Sequence, residues 1–247
     1  MNKLWAFGCS MTAGAELGCN VDHVDFLKTH TKCEDTKSAR QKLGDDKYQN
    51  VIIKKWHELI NHSEDPDLTY AGVLSKKFNL EFKPCAISGS GIDSAFYEII
   101  KHSSSIDWKK DLIILGVTSP GRWITNTGRH FLFNMLDTST HRMLDPYLPC
   151  IETLDMFHYG TLTLIKKTFP EVNIIRMYKN QDGTVINTRI NPDNIYLGPR
   201  ELSLENACVG ISNSHYPAGH PIEQVHEKFA TQLLPYFKKI NRRRHKS

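Results

Sequence analysis

Four short apolar runs rich in Ile, Val, Leu and Phe punctuate the chain, over residues 4–7, 80–87, 112–117 and 172–177. Runs this short, bounded by polar or turn residues, predict strands buried on both faces. Between and after them, apolar positions recur at helical spacing, which predicts helices over 46–60, 68–78, 92–102, 151–169 and 222–237. Strands alternating with helices predict an α/β fold, a mostly parallel sheet covered by helices on both faces. Ligands bind such sheets beyond the carboxyl ends of the strands, so the residues that follow each apolar run carry the most functional weight.

Two stretches depart from this rhythm. Residues 16–50 are polar, charged and poor in apolar periodicity, and read as an insertion over one end of the sheet, a lid or a partner surface. Residues 180–215, with NQDG, NPDN and GP turn signals, read as a second loop-rich excursion. With no internal repeat, the simplest partition is one domain over 1–237 and a basic tail over 238–247.

Composition narrows the picture further. No apolar run approaches the ~18 residues of a membrane span. Too few apolar residues precede Cys9 for Phe7-Gly8-Cys9 to be a lipoprotein box, because a signal core needs roughly 7 to 15. Six cysteines without regular spacing fit reduced thiols, and cytoplasmic folding is expected. The formal charge of +4 is local: apart from Arg242, Arg243, Arg244 and Lys246, the basic residues balance the 27 acidic ones. The tail could touch nucleic acid or an anionic surface, although a solvated end is the commoner role of such a segment.

Candidate chemistry gathers after the strands. The first runs into FGCSMTAG, which places Ser10 just past a strand end, where its hydroxyl can act as nucleophile and its amide can face developing negative charge. The second ends in CAISGSGID, where Gly89 lets a backbone N–H approach a ligand. The third ends in LGVTSPGRW: Thr118 can donate to an oxyanion, Ser119 shares that rim, and Arg122 can grip an anionic substrate group. Near the C-terminus, GHPIEQVHEKFA places His220 at the opening of an amphipathic helix, suited to take a proton from Ser10. His226, further into that helix, reads as a packing or partner-contact residue, and His215 as a rival base. Cys19, His23, His30 and Cys33 have spacings that a structural zinc site could use, but such spacings also arise by chance among 12 histidines. No metal or organic cofactor is expected.

Serine after strand one, glycine after strand two, a hydroxyl after strand three and His-Pro before the last helix together resemble the four sequence blocks of the SGNH (GDSL-like) hydrolase family. The GCS form of the first block is similar to that of SGNH-like proteins of tailed bacteriophages, which implies a host-cytoplasmic or virion setting. The resemblance implies a three-layer α/β/α, flavodoxin-like sandwich with about five parallel strands. It also implies an oxyanion hole from the Ser10 amide, the Gly89 amide and Thr118, the last standing where the family has asparagine. The family's acid, three residues before the histidine, is replaced by Pro217. His220 is therefore expected to lean on another acceptor, such as a backbone carbonyl of the Pro217 loop, in a Ser-His dyad. The expected activity is ester hydrolysis through an acyl-enzyme. The rim residues Arg122, Trp123, Asn126 and Arg129 favour an O-acetylated carbohydrate over a long acyl chain. The alternative is a non-catalytic SGNH-like binding or structural protein of a virion or complex.

Overall fold

The computed structural model describes residues 2–61, 63–117, 122–124, 130–132, 151–178 and 195–244. Its centre is a parallel sheet of β1 (Lys3–Gly8), β2 (Glu81–Pro84), β3 (Leu112–Val117) and β6 (Val172–Arg176), in the order β2-β1-β3-β6. A separate antiparallel pair joins β4 (Arg122–Ile124) to β5 (His130–Leu132). Among the described residues the main sheet thus has four strands rather than about five. Two isolated parallel bridges, Ile174 to Tyr196 and Arg176 to Ser203, also lie against β6.

Alternation along the strands sends side chains to two faces, and each face has its own core. Leu4, Ala6, Leu112, Ile114 and Ile175 pack against α5 (Tyr70–Phe78), α8 (Leu204–Ala207) and α9 (Glu223–Arg244). Trp5, Phe7, Ile113, Leu115 and Ile174 pack against α6 (Ile92–His102) and α7 (Ile151–Thr168). This is the α/β/α sandwich that the strand and helix pattern predicts. The last helix runs past Phe237 to Arg244, because Ile240 also packs on the first of these cores.

The stretch 16–50 is more ordered than its composition suggests. Asp22 caps α2 (His23–Thr31) through the Val24 and Asp25 amides, and Asp35 caps α3 (Thr36–Leu43) through the Ser38 amide. A longer helix, α4 (45–60), follows, with its middle turns Tyr48–Ile53 in π geometry. Leu17, Phe26, Leu27, Tyr48, Ile52 and Trp56 close these helices around a third apolar cluster, which also takes in Tyr216 from the C-terminal loop. The insertion and the loop before α9 therefore share one core.

Candidate functional site

Beyond β1 the chain turns sharply into α1 (Ser10–Ala13), which sits almost on the sheet end. Two glycines in register, Gly8 and Gly116, make that approach feasible. A Cβ on Gly116 would lie 2.2 Å from Thr12 Oγ1 and 2.6 Å from the Tyr70 hydroxyl. Thr12 and Tyr70 are themselves hydrogen-bonded at 3.1 Å, and burial pushes the Tyr70 phenol well above its ordinary range. Ser10 is thereby fixed at the carboxyl edge of the sheet, only 5 % exposed.

His220 reaches this serine from the loop before α9, its Nε2 lying 2.9 Å from Ser10 Oγ. On its other side, Nδ1 lies 2.6 Å from Glu16 Oε2. Because a carboxylate can only accept, Nδ1 carries the ring proton and donates it to Glu16, leaving Nε2 to accept from the serine hydroxyl. The acceptor expected from the Pro217 loop is thus replaced by a side chain: the Pro217 carbonyl instead accepts from the Tyr48 hydroxyl at 3.0 Å.

Glu16 is almost fully buried, and its carboxylate is surrounded by donors. The amides of Ala218 and His220 each donate to it at 3.2 Å, and the indole N–H of the fully buried Trp56 donates to Oε1. Buried charge requires such pairing, and four donors on one carboxylate also fix its direction. Its backbone has a φ of 69°, an uncommon choice for a non-glycine residue. Sequence reasoning missed Glu16 and Trp56 because it sought an acid shortly before the histidine. A signal was available: Glu16 is the first charged residue after Lys3, in an otherwise uncharged stretch.

The loop carrying Gly89 is tied to the same strand end. Ile87 N–H and the Ser90 hydroxyl both donate to the Gly8 carbonyl, at 3.0 and 2.9 Å. Gly89 has a φ of 78°, and the space a Cβ would occupy is open. At the start of α1 the Ser10 amide is among the first helical N–H groups, which have no acceptor within the helix. Thr118 and Ser119 lie outside the described residues, as do Asn126 and Arg129. Arg122 and Trp123 lie in β4, apart from the main sheet.

The other histidines and cysteines go elsewhere. His215 pairs with Ser214 Oγ at 2.9 Å and Cys208 Sγ at 3.6 Å, so it is not the partner of Ser10. His226 is buried, accepts from the Tyr70 amide at Nδ1 and stacks on the Tyr70 ring, and burial pushes its pKa down to about 3. His23, His30, Cys19 and Cys33 each contact a different backbone carbonyl. Among the described residues no three His, Cys, Asp or Glu side chains are grouped to hold a metal.

Fold and site together define an α/β protein with a Ser–His–Glu hydrogen-bonded chain at the carboxyl end of a parallel sheet. No family model matches the sequence, and no curated protein does. Solved structures give a looser likeness. A carbohydrate esterase, whose active site displays divergent catalytic and non-catalytic binding functions, has a TM-score of 0.48 and 12% identity over 96% of this chain and 65% of that one. An acetyl xylan esterase from the rumen bacterium Butyrivibrio proteoclasticus has a TM-score of 0.44 and 14% identity over 96% and 64%. A GDSL-like lipase from Parabacteroides merdae has a TM-score of 0.36 and 11% identity over 96% of each chain. The chain spans less than two thirds of the length of the two esterases.

Proposed function

We propose that this chain is an SGNH-type serine esterase, with Ser10 as nucleophile, His220 as general base and acid, and Glu16 as the orienting carboxylate. The observation that carries this reading is the unbroken chain from Ser10 Oγ to His220 Nε2, and from His220 Nδ1 to Glu16 Oε2. In this mechanism Ser10 Oγ attacks the ester carbonyl carbon while its proton passes to Nε2. The Ser10 and Gly89 amides face the oxyanion, with Thr118 as a third donor. His220 then gives its proton to the departing alkoxide as the C–O bond breaks, which leaves an acyl-serine. Water attacks this intermediate, its proton goes to Nε2, and the carboxylic acid leaves as the proton returns to Ser10.

Glu16 stabilises the imidazolium that forms twice in this cycle and holds the ring in the productive tautomer. The alternative of a non-catalytic scaffold drew its support from a missing acid and from Thr118 standing in place of asparagine; a buried carboxylate on Nδ1 answers the first of these. A short acyl group on a carbohydrate is the substrate class we favour, with acetate as product. Its test is acetate release from acetylated xylan and from p-nitrophenyl acetate by wild type, Ser10→Ala and His220→Ala. Loss of release in both variants is the expected result, and unchanged release in Ser10→Ala would overturn the assignment.

A further inference from the structure

A groove of about 650 Å³ lies between α3 and the loop that carries His220. Its volume is within the range of small-ligand sites, but its walls differ from the usual apolar lining. They are formed by Lys37, Arg40, Gln41, Asn213 and Ser214, with Ala218 and Gly219 closing the side toward His220. The Ala218 wall belongs to the active-site loop itself, since its amide donates to Glu16.

The charges in the groove are not balanced. Its one carboxylate, Asp35, is engaged locally: Oδ1 accepts from the Ser38 amide at 2.9 Å and Oδ2 from the Ser38 hydroxyl at 2.7 Å. His215, also in the lining, is held toward its neutral form by burial. Lys37 and Arg40 make no ion pair among the described residues. The Arg40 guanidinium lies 5.2 Å from the Tyr48 ring centroid, and its Nε is buried without a hydrogen-bond partner.

Resting on the esterase reading above, the geometry points to this groove as the site for a carboxylate-bearing sugar of the substrate, held by Arg40 and Lys37. Arg40 offers the planar fork that suits a carboxylate, and Lys37 adds a second positive charge at the rim. The amides of Gln41 and Asn213 and the Ser214 hydroxyl suit sugar hydroxyls, whereas a long acyl chain would find no large apolar side chain in this lining. The substrate class is an esterified acidic oligosaccharide, with its ester at Ser10 and an acidic ring beyond the Ala218–Gly219 wall.

The test is calorimetric titration of Ser10→Ala protein, which binds without turnover, with a galacturonate trisaccharide and with neutral xylotriose. The expected result is that the acidic trisaccharide binds about tenfold more tightly at low salt, and that the preference disappears in Lys37→Gln/Arg40→Gln. Lys37→Gln alone, at an exposed position, is expected to reduce the preference without disturbing the packing of Arg40 on Tyr48. Equal binding of the two sugars, or a preference that survives the double substitution, would overturn the proposal. Acetate release by wild type separates the two readings. Ser10-dependent release without a charge preference sinks the groove alone, whereas a charge preference without release from any ester sinks the esterase and leaves the groove standing.

Discussion

Glu16 and His220, 204 positions apart in the chain, meet through a 2.6 Å hydrogen bond between a carboxylate and Nδ1 of the imidazole. The acid comes from the start of the chain, six residues after the serine it serves through the histidine. The α2–α4 insertion holds this pair from outside. Trp56 donates to Glu16 and stacks against Tyr216 with ring centroids 6.0 Å apart, while Tyr48 holds the Pro217 carbonyl. A segment that looks like a lid in sequence therefore buttresses the acid and the histidine loop.

Substituting Glu16→Gln keeps the shape but removes the charge and turns an N–H group toward donors. The expected outcome is a fall in kcat of roughly 10³- to 10⁴-fold, as when a triad acid is neutralised, with KM little changed. Steady-state hydrolysis of p-nitrophenyl acetate measures it. A kcat within a few-fold of wild type would remove Glu16 from the mechanism.

Trp56→Phe keeps an aromatic ring in the insertion core but deletes one donor to Glu16. Stability is expected to fall by about 1–3 kcal/mol, and kcat to fall by about tenfold without a matching change in KM. Denaturant midpoints and kinetics on the same preparation separate the two effects. A loss of stability with wild-type kcat would confine Trp56 to packing.

Gly116→Ala tests the close approach of α1 to the sheet. The added methyl meets Thr12 Oγ1 and the Tyr70 hydroxyl at less than contact distance, and both of those side chains are fully buried. A loss of at least about 1–3 kcal/mol is expected, read from urea denaturation. A midpoint equal to wild type would show that the packing at Thr12 is looser than described.

Stability is also expected to fall with acidification. Burial holds His226 neutral down to about 3 and His158 down to about 4, while both titrate near 6.5 once unfolded. Between those values the unfolded chain binds more protons than the folded one. Each histidine therefore contributes stability that is complete above pH 6.5 and declines below it, by up to about 1.4 kcal/mol per pH unit. Urea midpoints at pH 7, 6 and 5 should fall in sequence, with a shallower fall in His226→Gln. A midpoint that holds steady from pH 7 to 5 would contradict the burial of these rings.

Strands β1, β3 and β6 were legible because each is a short apolar run, and β3 spans the residues predicted for it. The run 80–87 gives only a short strand, β2, whose EFKP side chains are exposed or half-buried because it lies at the sheet edge rather than between two strands. The helices α6 and α7 likewise follow directly from their apolar spacing. Ser10 and His220 were legible from their places after the first strand and before the last helix. Glu16 was missed: its isolated charge after the first strand marks it out, but its partners are donors from residues 56, 218 and 220, and no local pattern assigns it to positions so far apart. Of the helices in and beside the insertion, α4 follows the apolar spacing over 46–60, whereas α2 and α3 were hidden. Their buried residues are few, Phe26, Leu27 and Thr31 in α2 and Ala39 in α3, too few on helices this short to form a stripe. Of the fifth strand implied by the family resemblance, the described residues hold only single-residue bridges to β6 at Tyr196 and Ser203.

The most direct test of the central claim is labelling with a fluorophosphonate probe followed by peptide mass analysis. An activated Ser10 should acquire one phosphonyl adduct in wild type, none in Ser10→Ala, and far less in His220→Ala. A folded wild-type protein that takes up no label, or an adduct that persists in Ser10→Ala, would contradict the account.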